Sequence, residues 1–174
     1  AGKKYFSSLI DRIEDVPDSV VDLLKTSKGG TDLFRDIQKR LTSALRKHHL
    51  LRERVERLLT IPGVGEVTAL TWALEIGDVS RFDSISKAIS YCGLCSAQKE
   101  SAGKQIKGPI SKKRNKHIQT VLIEAAKLAP RWNPELHEIH EKELTKGNKN
   151  RATLAVARRL VGYLMAVDRR ETGF

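Results

Sequence analysis

Two serines stand in a strongly positive run, Ser101 in Ser-Ala-Gly-Lys and Ser111 in Ser-Lys-Lys-Arg-Asn, both inside the stretch from Lys99 to Asn115. That stretch carries Lys99, Lys104, Lys107, Lys112, Lys113 and Arg114 against a single acid, Glu100. A hydroxyl among clustered cations suits a phosphodiester substrate, because the cations offset charge that grows on the phosphoryl oxygens under nucleophilic attack. Gly103, Gly108 and Pro109 oppose a regular helix or an unbroken strand, so an exposed loop is expected. Loops held on rigid scaffolds carry function more often than cores do.

A second constellation is Ile61-Pro62-Gly63-Val64-Gly65, which lies between two segments of helical apolar spacing. Helix, tight glycine turn and helix make the helix-hairpin-helix pattern. Its glycines let backbone amides approach a phosphate closely, and the N-terminus of the following helix attracts it. Such contacts ignore base sequence. Gly63, Val64 and Gly65 are candidate nucleic-acid contacts, with a plain interhelical turn as the alternative, and Lys104, Lys107, Lys112, Lys113, Arg114, Asn115 and Lys116 join them. Cys92 and Cys95 form a Cys-x-x-Cys, but the βαβ context of a thioredoxin-like site is missing and a zinc site needs two further ligands at paired spacing. His137 and His140 also lack companions at ligand spacing. No metal site is expected from these residues.

Lysine and arginine outnumber the acids 32 to 21, giving a formal charge of +11 and a pI near 9.8 over 174 residues. That excess points to a polyanionic partner, nucleic acid first. A basic membrane-surface protein would set its lysines opposite a bulky apolar helix face, and aromatics here are only 5%. There is no apolar run of about eighteen residues and no signal peptide, so a soluble, intracellular chain without membrane contact is expected. The chain opens Ala1-Gly2 without an initiator methionine, as a fragment or a processed chain would.

The elements that must position these groups read as helices. Phe6, Leu9, Ile10 and Ile13 keep helical spacing from Lys3 to Asp15, and Pro17 opens a second short helix with Val20, Val21 and Leu24 inward, closed by Gly29-Gly30. Thr31 then caps a long helix whose inward positions step through Phe34, Ile37, Leu41, Ala44, His48, Leu51, Val55 and Leu58. This heptad seam predicts an intermolecular coiled coil, an amphipathic helix packed on its own domain being the alternative. After the glycine turn, Glu66 starts a helix with Val67, Leu70 and Leu74 apolar, closed by Gly77, and Ser84 caps another that ends at Gly93. Beyond the basic stretch, Ile118, Val121, Leu122, Ala125, Leu128 and Ala129 mark a helix up to Pro130. Asn133-Pro134 begins one that ends at Gly147, and the last runs from about Asn150 to Asp168. There Arg151, Arg158 and Arg169 share a face, either solvated or tracking a phosphate backbone. No strand pattern holds against the helical reading. The expected class is all-α, with 1–58 as a helical linker or coiled coil and 59–174 as the functional domain.

The run from Thr60 to Asp168 resembles the C-terminal transposase domain of a bacterial insertion-sequence family, the one-hundred-and-ten family, whose recombinases are guided by a bridge RNA. The resemblance is carried by Ile61-Pro62-Gly63-Val64-Gly65 with Thr68-Ala69, Glu75-Ile76-Gly77-Asp78 with Arg81-Phe82, Tyr91-Cys92-Gly93-Leu94, Ser101-Ala102-Gly103-Lys104, Ser111-Lys112 with Asn115, and Ala155-Val156-Ala157-Arg158. It implies a serine nucleophile at Ser101, in the family's Ser-x-Gly-Lys motif, with Ser111 as second choice and better suited to a cap or phosphate contact. It implies DNA and a structured guide RNA as partners, a homo-oligomer through the long helix, and work on the nucleoid in the bacterial cytoplasm. It also implies a separate acidic domain that binds Mg²⁺, with no cofactor held by this chain, where Glu75, Asp78 and Asp83 are scattered around a helix end. Arg114 departs from the glycine usual before Asn115, and Cys92 and Cys95 replace the more usual alanine and proline. The alternative function is a non-catalytic helix-hairpin-helix binding or assembly module.

Overall fold

The computed structural model describes residues 12, 16–101, 104–110 and 114–174, with 96–101 and 104–110 described as backbone. The helix expected over Lys3 to Asp15 lies, but for Arg12, outside these residues. Pro17 fixes the entry to α1 (Asp18–Lys47), where the amides of Val20 and Val21 both donate to its carbonyl oxygen. The helix runs straight through Gly29-Gly30, where the sequence predicts a stop. Each glycine costs a helix interior only about 1 kcal/mol, and the long flanking segments outweigh it. Thr31 is not a cap: its hydroxyl donates to the Ser27 carbonyl one turn back, as Thr26 does to Asp22.

Packing divides the chain into two units, Ala1–Ala44 and Leu45–Phe174. In the first, no α1 residue is buried, and Phe34, Ile37 and Leu41 are 69%, 53% and 56% exposed. In the second, α1 ends at Lys47 instead of continuing to Leu58. The His48 amide bonds back to Leu45, and the His48 carbonyl takes the amides of Leu51 and Arg52, with the His48 and His49 rings stacked. Past this turn, Val55 and Leu58 of α2 (Arg52–Leu59) are fully buried. The single seam drawn from the sequence is therefore two surfaces, one exposed and one in a core.

The second unit continues with α3 (Glu66–Ile76), α4 (Ile85–Tyr91), α5 (Lys116–Leu128), α6 (Pro134–Leu144) and α7 (Lys149–Arg170). The side chains of Ser84, Asn115, Asn133 and Asn148 cap α4, α5, α6 and α7 by accepting amide hydrogens of the first turn. The central helix is α7, with Val156, Ala157, Leu160, Val161 and Leu164 inaccessible and α2, α4, α5 and α6 packed around it. On α3 the inward residues are Ala69, Leu70, Trp72, Ala73 and Ile76, whereas Val67 and Leu74, noted with Leu70 as its apolar positions, are substantially exposed. That helix is apolar nearly all round, so spacing could not choose its buried side.

The helical class holds for this scaffold, with one exception among the described residues. The expected basic loop is an antiparallel hairpin of β1 (Ser96–Ser101) and β2 (Lys104–Ile110). Ser101 pairs with Lys104 and Gln98 with Lys107, and a bulge sets Ala97 against Gly108-Pro109 before Ser96 meets Ile110. The two strand-breaking residues are thus absorbed where the ladder is irregular, as proline in a strand requires.

Asp168, buried on α7, accepts from Arg54 Nε at 2.8 Å and Nη2 at 2.6 Å, and from the Trp72 indole Nε1 at 2.9 Å. Arg54 also donates to the Ala73 carbonyl at 3.3 Å. Removing the carboxylate strands a guanidinium and a buried indole N–H. Asp168→Ala is expected to lower the unfolding free energy by about 3 kcal/mol, read from urea midpoints at constant slope.

Candidate nucleic-acid interface

Ile61 and Val64 are buried and anchor the turn between α2 and α3, where the Val64 amide bonds to the Ile61 carbonyl at 3.0 Å. Gly63 has φ of +92°, and a Cβ placed there would meet Ala129 Cβ at 2.6 Å and Cα at 2.7 Å. No other residue type fits that contact. Ala129 opens the 3-10 turn Ala129–Arg131 at the end of α5, so the glycine turn is seated on a second element. Gly65 differs: it is the N-cap of α3, and a Cβ there would meet nothing within 4 Å. It has no side chain to cap the helix, so the first-turn amides of α3 receive no cap hydrogen bond from it. Glu66 beside them is ion-paired with Arg46.

The hairpin is clamped at both ends. Leading in, Leu94 is fully buried and its carbonyl accepts from Arg158 Nε of α7 at 2.8 Å, while the Gly93 carbonyl accepts from Gln119 Nε2 of α5 at 2.5 Å. Leading out, Arg114 packs on Gly93, whose missing Cβ would lie 2.4 Å from the Arg114 Cβ. The Asn115 Nδ2 donates to Glu75 Oε2 at 2.5 Å while its Oδ1 caps α5 through the amides of His117 and Ile118. Tyr91 completes the clamp by donating its hydroxyl to the Glu75 carbonyl at 3.1 Å. The Arg81 guanidinium lies over both the Tyr91 and Phe82 rings, at 4.5 and 4.7 Å.

Of the sequence-predicted residues, Ser101, Lys104 and Lys107 stand on this hairpin, with Ser101 and Lys104 as the last pair of its ladder. Ser111, Lys112 and Lys113 lie outside the described residues. Arg114 and Asn115 are half-buried at the hairpin exit, and Lys116 is exposed on the first turn of α5 beside a small hollow shared with His117 and Thr71. The arginine row on α7 is not a single solvated face: Arg158 holds Leu94, Arg169 donates to the Phe82 carbonyl, and Arg151 pairs with Glu143 at 3.0 Å. Burial pushes the Cys92 thiol up to about 12, against a smaller opposing pull from Arg81, which leaves it protonated and inert at neutral pH. The carboxylates near the α3 end have separate partners: Glu75 binds Asn115, Asp78 binds Ser80, and Asp83 binds Lys87. Hydrogen bonds from the Ser80 side chain and amide hold Asp78 below the usual carboxylate range. Sequence reading passed over Gln119, Trp132 and the Arg54–Trp72–Asp168 set. An asparagine directly before an apolar-periodic run was a readable cap signal for Asn115.

The family model described as Transposase IS116/IS110/IS902 family matches residues 55–141. The chain belongs to this family. The matched span runs from α2 into α6 and includes both the glycine turn and the hairpin. Among curated relatives, a transposase for insertion sequence element IS1328 from Yersinia enterocolitica is 30% identical over 133 residues, covering 74% of this chain and 40% of the relative. A probable family 20 transposase from Pseudomonas aeruginosa is 28% identical over 116 residues, 67% of this chain and 34% of that protein. A transposase for IS1111A from Coxiella burnetii is 35% identical over 75 residues, 43% of this chain and 21% of its own length. The transposase-family chain thus spans well under half the length of these relatives. Among its described residues no helix is long and apolar enough to cross a membrane.

The two turn glycines give opposite expectations. Gly63→Ala should cost about 2–4 kcal/mol through the Ala129 clash and the positive φ. Gly65→Ala, in open space, should cost no more than about 1 kcal/mol. Thermal and urea unfolding of the two variants checks the difference.

Proposed function

We propose that this chain is the DNA-binding and serine-supplying part of an insertion-sequence transposase, acting on the nucleoid in the bacterial cytoplasm. The observation that carries the reading is a basic hairpin ending in the Ser101–Lys104 pair, clamped at both ends to the helical core of a transposase-family domain. In this reading Ser101 Oγ attacks the phosphorus of a DNA phosphodiester. The Oγ–P bond forms as the P–O3′ bond breaks, one proton leaves Oγ and one arrives at O3′, and the phosphoserine conserves the energy for rejoining. Lys104 and Lys107 offset charge on the phosphoryl oxygens. Ser111 is the second candidate nucleophile. The glycine turn Gly63-Val64-Gly65 meets a DNA backbone through the amides of Gly63 and Gly65, Lys112, Lys113, Arg114 and Lys116 are further candidate contacts, and a structured guide RNA is a second polyanionic partner. Glu75, Asp78 and Asp83, each engaged elsewhere, do not fit a Mg²⁺ site, so the metal is assigned to a domain outside this chain and no step here runs through it.

In the full-length protein, Ser101→Ala should lower DNA strand exchange by about 10³-fold or more while DNA affinity and its salt slope, about −0.9 per phosphate contact, stay unchanged. Unchanged exchange would overturn the nucleophile assignment and leave a binding module.

A second role is favoured by the exposed apolar row Phe34, Ile37 and Leu41 on α1. This row would dimerise the chain as a coiled coil. Light scattering should show a dimer that becomes monomeric in Phe34→Glu/Leu41→Glu; a monomer in both cases rejects the idea.

A further inference from the structure

Beside the glycine turn, α3 and α5 leave a groove of about 580 Å³ whose lining includes Gly65, Val67, Val121, Leu128 and Trp132. Val67, Leu128 and Trp132 are 41%, 51% and 71% exposed. Such a cluster is unusual for large apolar side chains and marks an interaction surface. The Trp132 mount is rigid: its amide donates to the Ala129 carbonyl at 3.0 Å, and the next residue, Asn133, is buried and caps α6. Ala129 is also the residue on which Gly63 is seated, so turn and indole belong to one framework. The charge around the groove suits a polyanion. Its one acid, Glu124, is paired with Lys127 at 2.6 Å, Arg131 is exposed next to Trp132, and a neighbouring hollow sharing Thr120 and Val121 is lined by Lys116 and His117.

We infer that this groove binds an unpaired DNA strand, with a base stacked on the Trp132 indole. A flat aromatic on a fixed mount, an apolar trough and flanking cations are what a single strand requires, since every base has a π-face to offer and its phosphates follow the cations. A duplex cannot offer that face. The inference rests on the reading of the chain as part of a DNA transposase, whose cleavage and rejoining pass through opened strands.

The chain has two tryptophans, and Trp72 is fully buried with its N–H on Asp168, so a fluorescence change on adding nucleic acid reports Trp132. The 174-residue chain is titrated with a single-stranded DNA oligomer, the RNA of the same sequence and a DNA duplex, following fluorescence and anisotropy. Single-stranded DNA should quench the exposed emission. Trp132→Leu should weaken it by roughly 5- to 150-fold, Trp132→Tyr should recover most of the loss, and duplex affinity should move less than about twofold. Single-strand affinity unchanged in Trp132→Leu, with duplex binding intact, overturns the groove assignment and leaves the DNA reading standing. RNA bound tighter than DNA, with the larger loss in Trp132→Leu, overturns DNA as the occupant. Failure of the wild-type chain to bind any of the DNAs overturns the reading beneath both.

Discussion

A carboxylate removed from water must find donors for both oxygens, and Asp168 finds them in Arg54 and Trp72, 114 and 96 residues upstream. Burying that charge alone would cost several kcal/mol, so α7 keeps it only where α2 and α3 present a guanidinium and an indole together. The mutual placement of α2 and α3 follows from this requirement, and the placement of the glycine turn between them follows in turn. Gly63 is then pressed onto Ala129, which brings the end of α5 to the same place. One buried ionic contact thereby organises the elements around the proposed DNA-facing edge.

The hairpin depends on a related device, the capture of main-chain carbonyls by arginines of α7. Arg158 and Arg169 reach the carbonyls of Leu94 and Phe82, either side of α4. Both carbonyls sit where the chain is outside regular helix and strand. A formal charge of +11 therefore overstates the cationic surface open to a nucleic acid, because some of its strongest donors are committed internally. The hairpin, with one acid among its lysines, stays basic.

Acids elsewhere tie helices to one another. Glu135 of α6 takes the Tyr163 hydroxyl and the Arg159 guanidinium of α7, and these two hold its carboxyl below the usual range, the tyrosine bond most of all. Burial, aided by Glu135, pushes the Tyr163 phenol up. Glu143 does the same work at the other end of α6, held low chiefly by Lys146 and also by Arg151. These exposed ties add little stability each, but they align α6 with α7, the central helix of the core.

By itself the sequence determined the helical class, the family, and most helix ends, because caps, prolines and glycines act through local backbone geometry. Gly77 and Gly93 do adopt positive φ where helices stop, and Ser84 and Asn133 do cap. It failed where the outcome depended on what lay across the fold. Gly29-Gly30 reads as a stop, yet helix continues because the local penalty is small and no turn competes for it. The heptad seam reads as continuous, yet past the turn at His48 Val55 and Leu58 lie in the core, where burial of apolar surface outweighs an unbroken helix. The basic run reads as a loop, yet antiparallel pairing with a bulge satisfies its amides without moving the glycine or proline. Only the tertiary structure decided that the Asn115 cap also binds Glu75, that Arg158 holds a strand's entry, and that Trp132 stands exposed over a groove. Each is a contact between residues far apart in the chain, and no local period or propensity encodes which distant partner a side chain will meet.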